Sequence, residues 1–575
     1  MNSRDLPRYT HFGASAQGAP ATGAAPRRRT VLKAGALGAA ATGTAYALGS
    51  SAIPAAAAED GSGAGSGVFR HGVASGDPLA DRVMIWTRVT PSPDATPGSG
   101  LGAPTPVEWE MARDENFGDV VAAGSVVTSP DSDHTVNLDA TGLAPDSWYF
   151  FRFRAAGQVS PVGRTRTAPA AGAATGRARF GVVSCSNWEA GYFAAYRHLA
   201  ARGDLDAVIE LGDYIYEYGA GQYGGLDGSV RTHEPAWDIV SLADYRQRLA
   251  QYRTDPDLQA LHARVPWICT WDDHEVANDA WANGAENHRP EEGSYSDRKR
   301  NSSQAYFEWL PVRPQNLRDG GQMYRRLGWG SLAEINMLDL RSYRDEQAKF
   351  YQGKAIDDPG RTMTGAAQFD WLTAGLKSST ARWNLVGNSV MITPVLLPPL
   401  DPRVTKGLTD LMGLPEDGVP YNADQWDGYS AERRRLFDTI HDDGLSNCVF
   451  LTGDIHTSWA CDLPWHAGTP TDGLVGAEFV VPSVTSANIN ESLKMPEGNP
   501  LSLAAQDALP SVNHHVRFVD LDRHGFGVFE ITEGYAHMDY FALNNVEAQD
   551  SAHYRIASWR KPYGPGPIEA AGPLS

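Results

Sequence analysis

Five short apolar runs in this chain each lead into residue types that bind metal ions. The run 179–184 leads to Cys185, 207–212 to Asp213, and 265–271 to Asp272-Asp273-His274. The run 383–387 leads to Asn388, and 448–453 to Asp454-Ile455-His456. A thiol, several carboxylates and two imidazoles span soft, hard and borderline ligands, which points to more than one kind of cation. In GlyAspTyrIleTyrGlu (212–217), Asp213 at a strand end could bridge two cations. Tyr216, three residues on, could return a phenolate to the harder one. Phenolate with carboxylate favours Fe(III) over Mg(II) or Zn(II). An aromatic turn packed on the core is the alternative reading of Tyr214, Tyr216 and Tyr218. The adjacent acids Asp272 and Asp273 require a compensating cation or partner if they are buried. Asp454 and His456, two apart, share a face at extended spacing and can meet one centre. Asn388 reads either as a ligand or as a strand-end turn former. Asp339 and Arg341 close another apolar run, as a phosphate or metal contact or as a structural ion pair.

Such residues must be delivered by strands whose carboxyl ends share one edge, as in an open α/β sheet. From residue 177 onward, strand-like runs alternate with helical patterns at 192–201, 242–253 and 431–441, so an α/β catalytic domain is expected over 177–575. Before it, residues 68–169 carry alternating β patterns (83–89, 107–112, 148–154) broken by Pro, Gly and Asp. These predict a small all-β sandwich of the fibronectin type III kind. Residues 59–67 and 168–176 read as linkers.

With 575 residues, two or more domains are expected, and 42% hydrophobic content is that of a folded protein. A net charge of −20 disfavours tracking along a nucleic-acid backbone. Arg28-Arg29-Thr30-Val31-Leu32-Lys33, a mild Ala/Gly-rich stretch and Ala55-Ala56-Ala57-Ala58 read as a twin-arginine signal over residues 1–58. The expectation is export by the twin-arginine translocase and a secreted protein. The four cysteines are too few for a disulfide scaffold. Cys269 and Cys448 read as core residues, and Cys461 could pair with either.

Taken together, SerCysSer at Cys185, GlyAspTyrIleTyrGlu, TrpAspAspHisGlu (271–275) and ThrGlyAspIleHis (452–456) resemble the PhoD family of secreted alkaline phosphatases and phosphodiesterases. The likeness begins at HisGlyValAlaSerGlyAspPro (71–78) and runs to near the C-terminus. It implies a metallophosphoesterase four-layer α-β-β-α sandwich with Fe(III) and Ca(II). Carried over by motif, Cys185, Asp213, Tyr216 and His456 would hold iron, with Asp213 bridging. Asp273 and Asp454 would hold calcium, Asn388 would lie on the phosphate or calcium side, and His274 would protonate the leaving oxygen. Carboxylates where the broader superfamily has amide and imidazole ligands also favour calcium.

The resemblance implies hydrolysis of phosphate mono- and diesters by metal-activated water. The alternative is a phospholipase D acting on phosphatidylcholine at the same site, since the family likeness extends to such enzymes. The paired HisXaaLysXaaXaaXaaXaaAsp motif of other phospholipases D does not occur. A non-catalytic binding protein is a third possibility, against which the intact ligand set argues.

Overall fold

The computed structural model describes residues 67–575 apart from 314–320, 350–351, 397–419, 421 and 470. The twin-arginine signal, nearly all of the first linker and most of the LeuLeuProProLeu segment (396–400) lie outside the described residues. Among the described residues, no helix is long and apolar enough to cross a membrane.

Two large mixed sheets carry the protein, which is of the α/β class. At the centre of a ten-stranded sheet, Arg177–Val183, Ala207–Leu211 and Trp267–Thr270 run parallel. A seven-stranded sheet has Ala333–Met337, Trp383–Asn388, Cys448–Thr452 and Leu474–Val480 parallel at its centre. Parallel neighbours need crossover connections, and helices supply them. Ala194–Ala200 joins the first two strands of the larger sheet; Ala366–Ser378 and Ser430–Asp442 do the same in the smaller.

The sheets face one another through Phe180, Val182, Ile209 and Leu211 on one side and Ile335, Leu385, Val449, Leu451 and Phe479 on the other. Helical Leu199, Tyr245, Leu249 and Leu261 cover the outer face of the larger sheet, and Leu372, Leu376, Leu436 and Ile440 that of the smaller. Strands covered on both faces read as largely apolar runs, which is why they stand out in the sequence.

The β-rich N-terminal region is arranged differently from a separate sandwich. Thr105–Ala112, Val120–Thr128, Trp148–Ala155, Gln158–Val159 and Gly163–Arg166 form a five-stranded sheet. Its partners across the core, Val73–Gly76, Arg82–Arg88 and Thr135–Thr141, belong to the ten-stranded sheet. The seam is a parallel contact between Gly76 and Trp267, where the Asp77 N–H donates to the Trp267 carbonyl (2.9 Å). Only glycine fits there: a Cβ on Gly76 would lie 2.3 Å from the Pro311 carbonyl oxygen. Asp77 then takes a bidentate grip from Arg325 (2.6 and 2.8 Å), whose guanidinium also reaches the Cys269 carbonyl (2.8 Å). All four cysteines are buried and free.

Candidate metal centre

Parallel strands from both sheets end at one edge, and the chain turns sharply as it leaves them. Cys185, Asp213, Asp454 and His456 have φ of +60°, +57°, +60° and +57°. Non-glycine residues rarely adopt this left-handed conformation, and such strain collects at functional sites. Neighbouring turns are stitched together: the Cys185 N–H donates to the Gly212 carbonyl (3.1 Å) and the Ser186 N–H to that of Asp213 (2.9 Å).

Cys185, Asp213 and His456 offer ligand atoms within 4.8 Å of one another; so do Asp213, Asp273 and His274, and likewise Asp272, Asp273 and Asp454. Asp213 and Asp273 are thus each shared between groups. Tyr216 joins the first: its hydroxyl donates to Asp213 Oδ2 (3.0 Å) and lies 3.2 Å from His456 Nε2. Nδ1 of His456 is 2.8 Å from the Ala487 carbonyl, so it carries the proton and leaves Nε2 as the free lone pair. Two buried carboxylate oxygens, Oδ1 of Asp213 and Oδ1 of Asp273, have no hydrogen-bond partner. Orphaned buried acceptors between clustered carboxylates fit cation binding. The donor set of thiol, phenol, imidazole and carboxylates therefore fits a pair of metal ions.

The charges agree. Burial, then the charge of Asp213, pushes up both the Cys185 thiol and the Tyr216 phenol, so each must give up a proton to become a ligand. Burial raises Asp273 to about 7, with Arg341 and His274 opposing it. Asp454 is raised as well, by burial and then by Asp272. For Asp272 burial acts upward too, but Arg341 outweighs it and holds the carboxyl at about 2.

Several residues that the sequence left unassigned organise this centre. Arg341 grips Asp272 with two bonds (2.7 and 2.8 Å) and donates to Asp424 (2.9 Å) and Asp454 (2.8 Å). It is thus the internal counter-charge of the carboxylate cluster. Glu275 accepts from the N–H groups of Asp213 (3.1 Å) and Asp272 (2.7 Å), tying two ligand turns together. Glu217 lies 2.7 Å from His274 Nδ1. Glu217 and Glu275 stand inside the quoted motifs, and Arg341 reads from the sequence as a phosphate or metal contact or as a structural ion pair. Gln425, which donates to Asp454, follows a polar stretch with no signal at all.

Asn388 is not brought to the centre. Its amide donates to the Val390 carbonyl and to Thr452 Oγ1 (3.0 Å), and its oxygen accepts from the Trp426 indole (3.0 Å). Both ends of the side chain are therefore committed to other protein groups. Asp213, Asp273, His274, Asp454 and His456 line an open cleft, together with Tyr223, Asn278, Asp279, Asn422 and Ile455.

A family described as PhoD-like phosphatase matches residues 180–540, and its N-terminal domain matches residues 55–169. The chain belongs to the PhoD-like phosphatase family. Alkaline phosphatase D of Bacillus subtilis (strain 168) is 38% identical to it over 505 residues, spanning 85% of this chain and 80% of that protein. The solved structure of PhoD superposes with a TM-score of 0.79 at 36% identity, covering 89% of this chain and 93% of that one. This PhoD-like phosphatase is a hydrolase of phosphoric esters.

Proposed function

We propose that the protein hydrolyses phosphate mono- and diesters with Fe(III) and Ca(II) held in a metallophosphoesterase four-layer sandwich. Cys185, Asp213, Tyr216 and His456 would hold iron, and Asp273 and Asp454, with Asp213 shared, would hold calcium. The observation that carries this reading is the pair of orphaned oxygens on Asp213 and Asp273 amid the three ligand groups. Thiol, phenol and imidazole favour a Lewis-acidic transition metal on one side, and the all-carboxylate remainder suits calcium on the other. When bound, such cations neutralise phosphoryl oxygens and lower the pKa of an attacking water.

The chain's own part is proton delivery and preorganisation. His274 stands at the cleft with Nε2 4.0 Å from Asp273 Oδ1 and Nδ1 on Glu217, so it can give its proton to the departing alkoxide. Arg341 and Glu275 fix the carboxylates before substrate arrives, so little reorganisation is required during reaction. The proposal includes export through the twin-arginine pathway, on the Arg28-Arg29 motif alone.

Elemental analysis with a visible absorption spectrum on the exported protein tests the centre. Iron with a tyrosinate charge-transfer band, alongside calcium, is expected. Zinc or manganese without that band would remove the iron assignment and leave the hydrolase. A substrate panel of phosphomonoesters, phosphodiesters and phosphatidylcholine separates broad ester hydrolysis from phospholipase D activity.

A further inference from the structure

Beside the candidate ligands lies a second group of polar side chains, two buried and one partly buried, that the hydrolytic reading does not use. Ser483, His524 and Glu491 line up in the segment following Leu474–Val480 and at the turn before Gly525–Thr532. The Ser483 hydroxyl is 2.9 Å from His524 Nδ1, and His524 Nε2 is 3.1 Å from Glu491 Oε2. This has the make-up of a nucleophile–base–acid triad, but Ser483 is fully buried. Its hydroxyl also reaches the Ser486 carbonyl (2.7 Å) and Asn488 Oδ1 (3.1 Å), both of which can only accept from it. With its proton so used, Ser483 accepts from His524 Nδ1–H, and the Glu491 carboxylate stands on the other side of the ring. For Glu491 burial acts upward, and the charge of His524 outweighs it to lower the carboxyl.

What this group holds is the 483–488 loop, and that loop touches two of the candidate iron ligands. The N–H groups of Thr485 and Ser486 donate to the Cys185 carbonyl (3.3 and 3.1 Å). The Ala487 carbonyl accepts the Nδ1 proton of His456 and so sets its tautomer and ring orientation. Glu491 closes the loop from the far side by accepting from the Asn488 N–H (3.2 Å). The Ser483 carbonyl accepts from the Gly525 N–H (2.9 Å), anchoring the loop to the next strand.

We propose that Ser483, His524 and Glu491 are positioning residues: a relay that holds the Ala487 carbonyl in place and thereby aims His456 Nε2 at the metal. This rests on the reading of Cys185, Asp213 and His456 as a cation site. Partners that orient a ligating histidine change metal affinity by about 10–100-fold when lost. This relay acts one step further out, through the loop, so a loss of about tenfold is expected.

Cobalt(II) is a suitable probe because its thiolate charge-transfer absorption reports directly on a site containing Cys185 and His456. Metal-free full-length protein, its His524→Ala and Glu491→Gln variants, and His524→Gln as the conservative exchange would be titrated with cobalt(II), with thermal unfolding run on each. The expected result is cobalt affinity lowered about tenfold in His524→Ala and less in Glu491→Gln, with partial recovery in His524→Gln, which keeps a donor for Ser483. Affinity equal to the parent in both His524→Ala and Glu491→Gln overturns the relay. Should His524→Ala fail to fold, Glu491→Gln carries the same decision, because its shape and its acceptor for Asn488 are preserved. A parent protein that takes up no cobalt overturns the cation site itself, and the relay with it.

Discussion

His274 Nδ1 lies 2.7 Å from a carboxylate oxygen of Glu217, and both side chains are buried. Burial alone would lower the imidazole, but Asp273, Glu217 and Asp213 outweigh it and hold His274 protonated well above its ordinary range. Glu217 responds in the opposite sense: burial acts upward, His274 outweighs it, and the carboxyl sits at about 2. The pair keeps an acid charged at a pH where free histidine is neutral.

That predicts a dependence on the leaving group. His274→Gln should slow hydrolysis of alkyl phosphate esters by about 100-fold or more, while p-nitrophenyl esters, whose leaving group needs no proton, should change little. Glu217→Gln removes the negative partner, lowers the histidine and should move the alkaline limb of the alkyl-ester profile toward neutral pH. Equal losses on both ester classes would assign His274 another role.

Asp213 is shared by two of the three ligand groups and carries an orphaned oxygen. Asp213→Asn should cost several kcal/mol of transition-state stabilisation, about 1,000-fold in turnover, with bound metal reduced in the same sample. Retained turnover would remove the site assignment.

Stability of the chelator-treated protein should depend on pH in an unusual direction. Asp273 is raised to about 7 and Glu275 to about 8, in both cases with burial as the main cause. Both titrate at about 4 when unfolded. Between about pH 4 and 8 the folded chain therefore binds protons that the unfolded chain does not, and stability falls as pH rises through this window. Below about pH 4 the lowered groups Asp272 and Glu217 act oppositely. Tm should drop from pH 5 to pH 8.5 in chelator and be restored at pH 8.5 by added calcium. A flat profile would mean that these carboxylates are not coupled to folding.

Asn388→Ala should act on stability and not on substrate. It leaves the Trp426 indole N–H without a partner in the core, a loss of roughly 1–3 kcal/mol, while the Thr452 hydroxyl keeps Glu478 as its acceptor. Tm should fall while KM for a soluble phosphomonoester stays within about twofold. A large KM change at unchanged Tm would return Asn388 to the phosphate.

The candidate ligands stand out in the sequence because the strands leading to them are buried on both faces. Apolar runs such as 448–451 announce themselves, and the polar residues that soon follow must sit at the sheet edge. Asn388 follows such a run too and has the right place, but a strand end does not say which way an amide turns, and Trp426 claimed it from 38 positions away. Arg341 was ambiguous for a related reason. Asp272 and Asp454 lie 69 and 113 positions away, and only the folded chain shows that one guanidinium serves both. The N-terminal strands read correctly as strands. Their membership in the larger sheet depended on a backbone contact at Gly76, which leaves no periodicity behind.

That contact has a bearing on how the protein can be divided. A cut near residue 170 follows the chain's composition but would expose the Trp267–Thr270 strand as a raw sheet edge. The same cut would leave Arg325 buried without Asp77, the kind of loss that is strongly destabilising. Thr270 stands two positions before Asp272, so fraying there would loosen the carboxylates first. The front of the chain thus supplies the neighbour strand that the catalytic half lacks, and the two halves share one sheet as a single mechanical unit.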